Sequence, residues 1–252
     1  MLTLAACDLP RLPQEPADLP QLPDLSDVVR DLGLPDLSQI PNLPEIGDLA
    51  QINVGPNALA FAGPTEQRIG VGERIPGTDI ELISTSDGSA EFRIAGLRST
   101  RSLGDSLDYE GEWPGVSGVD YSLRLRIYTV GSNNVRAAGV HRLVVDNIQP
   151  TEQAVRLTGT TLRIPYTASA ANGETIKGLT LGYAGPDERG AQLSGLPSDA
   201  YPYRKLGDSI QWAGRLRPDL LVDYNLRLLF YNDNSLQVGG IATLQLPSGG
   251  QP

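Results

Sequence analysis

One cysteine, Cys7, and one histidine, His141, bound the chemistry this chain can carry. A structural zinc site draws on four ligands, mostly Cys and His, and copper or non-haem iron sites need at least two imidazoles or an imidazole with a thiolate. Neither set can be assembled here, and no cofactor is expected. A serine hydrolase needs a general base, and His141 falls in a terminal strand beside Arg142, away from any Gly-x-Ser-x-Gly turn. It reads as a strand histidine facing solvent. A glycosidase needs two carboxylates ~5–10 Å apart across a cleft. Thirty acidic residues offer such pairs in any fold, so they discriminate nothing. Gly70-Val71-Gly72 lacks the lysine and helix of a phosphate loop. Asn232-Asp233-Asn234, or Asp219 with Asp223, could hold calcium, but hairpin turns favour these residues without an ion.

Aromatic residues are the remaining candidates for binding. Trp113, Tyr183, Tyr201 and Tyr203 sit among Gly, Pro and Asp, and a line of exposed rings there could stack on a sugar or a partner. Trp113, in the loop after a strand, is expected to be exposed, whereas Trp212 and Tyr109 occupy matching strand positions and read as core. The net charge of −10 and the lack of a basic run in the sequence exclude nucleic acid as a partner.

These residues need a scaffold, and the sequence states it twice. Leu103-Gly104-Asp105-Ser106 returns as Leu206-Gly207-Asp208-Ser209, and Asp120-Tyr121-Ser122-Leu123-Arg124-Leu125 returns as Asp223-Tyr224-Asn225-Leu226-Arg227-Leu228. The period exceeds the ~20–50 residues of a solenoid unit, so each copy is expected to be a domain with its own core. Twenty-eight Gly, twenty Pro and alternating apolar positions such as Tyr121, Leu123, Leu125 and Ile127 predict strands joined by tight turns. The expected fold class is all-β: two tandem β-sandwiches, residues 51–149 and 150–247, with a tail at 248–252. Arg74-Ile75-Pro76 and Arg163-Ile164-Pro165 are read as one early strand in the two copies. That pairing places an insertion of about fourteen residues in the second, between Tyr183 and Tyr203. The linker Asn147-Ile148-Gln149-Pro150 is short enough to predict a fixed angle between the copies.

Residues 8–50 carry six Leu-Pro pairs, from Leu9-Pro10 to Leu43-Pro44, with scattered acids and no aromatic residue. Such composition builds no core. Proline biases it to extended geometry, which predicts an acidic tether of semi-rigid character, with one short helix around Leu25, Val28, Val29 and Leu32. No stretch after Cys7 has the ~20 apolar residues of a membrane-spanning helix.

Leu4-Ala5-Ala6-Cys7 resembles the lipobox of bacterial lipoproteins. The resemblance implies residues 1–7 as the remnant of a signal peptide, lipidation at Cys7 and an anchor in a membrane of the bacterial cell envelope. Inner and outer membrane stay open, and the folded part would be extracytoplasmic. Leu216-Arg217-Pro218 before Tyr224, and Trp113-Pro114-Gly115 before Tyr121, resemble the end of an immunoglobulin-like sandwich of the fibronectin type III kind. That resemblance implies that Tyr121 and Tyr224 are tyrosine-corner residues whose hydroxyls bond to the upstream backbone. The expected function is non-enzymatic: a lipid-anchored protein that binds or scaffolds a partner in an envelope protein complex. The alternative is a carbohydrate-binding module for peptidoglycan or a surface glycan; a secreted hydrolase is third.

Overall fold

A computed structural model describes residues 54–158 and 161–247. Cys7, the segment 8–50 with its expected helix, and the tail 248–252 lie outside the described residues. Those described are strands and turns, without helix. The first half contains β1 (Leu59–Gly70), β2 (Glu81–Ser86), β3 (Ser89–Ile94), β4 (Leu97–Ser102), β5 (Ser106–Glu112), β6 (Val119–Val130) and β7 (Asn134–Val145). The second contains β8 (Thr151–Glu152), β9 (Thr161–Ala171), β10 (Gly182–Asp187), β11 (Gly190–Ser194), β12 (Tyr203–Arg204), β13 (Ser209–Arg217), β14 (Leu220–Tyr231) and β15 (Ser235–Gln245).

The large sheet of the first half runs β1-β7-β6-β5, and that of the second runs β9-β15-β14-β13 with β8 added at the β13 edge. Each half also has a three-stranded meander, β2-β3-β4 or β10-β11-β12. All pairings are antiparallel. An immunoglobulin domain interleaves its strands between sheets, ABED against CFG. Here strands two to four stay in one sheet and five to seven in the other, with the first strand closing onto the seventh.

The alternation of β6 buries Tyr121, Leu123, Leu125 and Ile127 and turns the intervening residues outward, as period two requires. The repeated Leu-Gly-Asp-Ser is a turn. Asp105 accepts the amide of Ser102 and Asp208 that of Lys205, while Gly104 and Gly207 take positive φ and donate to Ile127 and Leu228.

Three sequence expectations change. The copies do not have separate cores: buried apolar residues of both halves form one continuous cluster. Phe61 on β1 lies 5.5 Å from Tyr166 and 6.4 Å from Tyr224, centroid to centroid, and a Cβ on Gly63 would overlap the ring of Pro165. Arg217, paired with Asp219, donates to the carbonyls of Ser117 and Gly118 in the other half. The halves are joined by packing as well as by the short linker.

Second, the two Asp-Tyr motifs are not equivalent in space. Tyr121 pairs with Leu143 and Leu123 with His141; the matching pairs in the second half are Val222 with Leu244 and Tyr224 with Ala242. Tyr224 therefore stands where Leu123 does, two positions along the strand. The cause is the β5–β6 loop, residues 113–118, which shrinks to Pro218 and Asp219 between β13 and β14.

Third, the early strands correspond differently. Arg163-Ile164-Pro165 lies in β9, while Ile75 lies in a turn closed by its amide on Ile80; Ile176 bonds to Leu181 in the same way. The inferred fourteen-residue insertion disappears. What remains is a remodelled loop: β3 and β4 are joined by Ala95-Gly96, whereas residues 195–202 join β11 to a much shortened β12.

Candidate functional site

The remodelled loop brings two of the four candidate aromatics together. Tyr203 pairs with Gln192 in the short β12, and Tyr201 precedes it at the end of the loop. Their rings meet edge to face at 5.5 Å. Tyr201 is 61% exposed and Tyr203 half-buried. Arg189, from the β10–β11 turn, lays its guanidinium 3.6 Å from the Tyr203 ring centre and also bonds the Tyr203 hydroxyl. Asp187 fixes that guanidinium through Nε at 2.7 Å and Nη2 at 3.3 Å. The side-chain bond to Arg189 holds the Asp187 carboxyl below its ordinary range and raises Arg189 in return. Arg204 donates to the backbone carbonyls of Tyr201 and Tyr203 at 2.6 and 2.9 Å. The result is an exposed tyrosine pair on a stiff hairpin end, with each side chain's position set by a second group.

The other two aromatics are elsewhere. Trp113 is only 5% exposed: its ring lies 5.2 Å from Tyr121, and its indole N–H donates to the Pro247 carbonyl of the second half at 3.4 Å. The sequence places it in a loop, as expected, but that loop folds under the junction between the halves. Tyr183 is fully buried, its hydroxyl donating to the Asn232 carbonyl at 2.6 Å. A line of four exposed rings therefore does not form. Trp212 is buried, as its strand position implied, and donates to Thr180.

Neither expected tyrosine corner forms. The Tyr121 hydroxyl meets His141 Nδ1 at 3.4 Å, and the Tyr224 hydroxyl is buried without a hydrogen-bond partner among the described residues. Burial raises both phenols. Backbone-bonded tyrosines exist at other positions: Tyr109 on the Glu112 carbonyl at 3.0 Å and Tyr166 on that of Lys177.

His141 does not face solvent. It is 1% exposed, and burial lowers its pKa to about 3, leaving it neutral. Gly63 lies directly across from it on β1, and the side of Gly63 that a Cβ would fill is taken by the ring of Pro165. A base at this position has no access to a substrate. The proposed calcium loop is closed by its own side chain, since Asn232 Oδ1 accepts the amides of Asn234 and Ser235. Among the described residues no three His, Cys, Asp or Glu side chains are grouped to hold a metal.

Sequence reading missed Arg189 and Arg204. The signal was a turn, Asp187-Glu188-Arg189-Gly190, where the first half has Asp87-Gly88; a charged turn beside a remodelled loop marks a surface the first half lacks. No family model matches the chain, no curated protein matches it, and no solved structure matches its fold.

Proposed function

We propose that this is a non-enzymatic binding protein of the bacterial cell envelope, anchored by a lipid on Cys7, that scaffolds another envelope component through the Tyr201–Tyr203–Arg189 surface. Each half is read as a two-layer sandwich, immunoglobulin-like in architecture and different in strand order. The observation that carries the reading is the exposed tyrosine pair, locked by Arg189 and Asp187 at the one place where the second half departs most from the first. Tyrosine and arginine dominate the energetics of protein contacts because they present large, stiff, amphipathic surface at low entropic cost. A shared core holds this surface on a rigid body. The glycan reading rests on the Tyr201 ring, because Trp113 and Tyr183 are buried.

The test is expression with a complete upstream signal in a bacterial host, membrane fractionation, and recovery through a tag after Pro252 for mass spectrometry. Acyl mass on Cys7 and a stoichiometric envelope protein lost in the Tyr201→Ala/Tyr203→Ala variant support the reading. A soluble, unacylated and solitary protein overturns it, and retention on a glycan array would then favour the alternative.

A further inference from the structure

The two copies treat one sheet edge differently. In the second half β8 lies along β13, with Thr151 beside Arg215 and Glu152 beside Gly214, and the Gln153 amide donates to the Ala213 carbonyl at 3.1 Å. Gly214 pairs with Val222 as Gly111 pairs with Tyr121, so Ala213, Gly214 and Arg215 match Glu110, Gly111 and Glu112 of β5. Among the described residues β5 has β6 on one side and no strand on the other. The Trp113 amide donates to the Val119 carbonyl at the start of β6, and backbone direction alternates along a strand. The amides and carbonyls of Asp108, Glu110 and Glu112 therefore face the open side, where the Tyr109 hydroxyl covers the Glu112 carbonyl. The glycine points to the same use of both edges. At Gly214 a Cβ would stand 2.3 Å from the Thr151 carbonyl oxygen and 2.6 Å from the Trp212 ring. Gly111 is glycine too, although its nearest neighbour is the Tyr109 hydroxyl at 3.0 Å, the movable end of a side chain, with no backbone close by among the described residues.

Charge selects the occupant. β8 brings Glu152 to an edge that carries Arg215. In β5 the place of Arg215 is taken by Glu112, and Asp108 and Glu110 share its face at period two, all three exposed. Arg124 neutralises Glu110, whereas Asp108 has no ion pair and Glu112 Oε1 accepts the Gly118 amide at 3.5 Å. Two copies meeting through β5 would set acids against acids, which disfavours pairing. The chain's own sequence ahead of β1, with Glu45 and Asp48, meets the same repulsion. We infer that β5 takes an extended segment of another protein as an added strand, one with Lys or Arg at alternate positions facing Asp108 and Glu112. Backbone bonds to Asp108 and Glu110 supply the affinity, and the alternating cations supply the selectivity. This edge is separate from the Tyr201–Tyr203–Arg189 surface, and its use does not depend on the lipid anchor.

The probe is the peptide TKVKVKT, blocked at both ends and titrated into the full chain, with amide resonances and hydrogen exchange as readouts. The expected result is shifts centred on Asp108, Glu110 and Glu112, slowed exchange of the Glu110 amide, and weaker binding of TEVEVET. Glu110→Pro deletes an amide that faces away from β6, a change an edge strand accepts with its ladder intact. Losing that bond should weaken TKVKVKT binding about tenfold. As a second variant, Asp108→Lys/Glu112→Lys changes two exposed side chains and should reverse the preference between the two peptides. Absence of TKVKVKT binding, or binding that Glu110→Pro and the charge reversal both leave unchanged, would overturn the proposal. A Glu110 amide already protected in the free protein would overturn it as well. Protection independent of concentration would give the edge to the chain's own segment, and protection that grows with concentration would give it to a second copy.

Discussion

Phe61 of the first half lies against Tyr166 of the second, ring centres 5.5 Å apart, so an aromatic contact between the copies is part of the core of both. This contact determines how the chain should unfold. Truncating a buried phenylalanine removes its transfer energy and leaves a cavity, together about 3–5 kcal/mol. Phe61→Ala is expected to lower the stability of both halves together, as one coincident denaturant transition followed by Tyr and Trp fluorescence. Two separated transitions in the parent protein would show the shared core to be energetically unimportant.

His141 predicts a dependence on pH. Unfolded, it takes up a proton near pH 6.5; folded, burial delays this to about 3. Its contribution to stability is therefore complete above pH 6.5 and is lost as pH falls from 6.5 towards 3, by about 1.4 kcal/mol per unit. His141→Leu should flatten that part of the curve. The check is the denaturation midpoint of both proteins between pH 7 and pH 4, where parallel curves would remove His141 as the cause.

Gly178 separates strain from collision. Its φ is +82°, and a Cβ would stand 2.7 Å from Leu59 Cδ2 and 3.0 Å from the Tyr224 hydroxyl. Gly72 has φ +83° and nothing within 4 Å. Gly72→Ala should cost only the left-handed penalty of about 1–2 kcal/mol. Gly178→Ala should cost more by the repacking at the junction, about 1–3 kcal/mol. Equal losses in thermal denaturation would mean that Leu59 and Tyr224 yield freely.

Tyr201→Ala exposes little new apolar surface, because the ring is already in solvent. Its effect on stability is expected within about 0.5 kcal/mol, while binding of an envelope partner should weaken by about 2 kcal/mol, or thirtyfold. Arg189→Ala should weaken binding less, through loss of the stacked guanidinium over Tyr203. Pull-down against a partner titration checks both, and unchanged binding in both variants would move the contact surface elsewhere.

The sequence by itself determined that the described chain is β-structure in two related copies, because inside-outside alternation and turn residues are local properties of a strand. It also identified Trp212 as core and Tyr201 as a loop aromatic, whereas Tyr203, read as part of the same loop, lies in β12. Alternation could not determine register. A two-residue slip returns every side chain to its own face, so Tyr121 and Tyr224 stay buried whether or not they are equivalent, and the repeat shows no gap. Nor could composition place a loop: Trp113 sits in one, yet the second half closes over it. Only the tertiary structure decided that His141 lies inside, that both copies share a core, and that β8 closes an edge in one copy whose match in the other has no partner among the described residues. Each of these depends on which strands become neighbours, and pairing between residues far apart in the chain leaves no signature in the spacing of either strand.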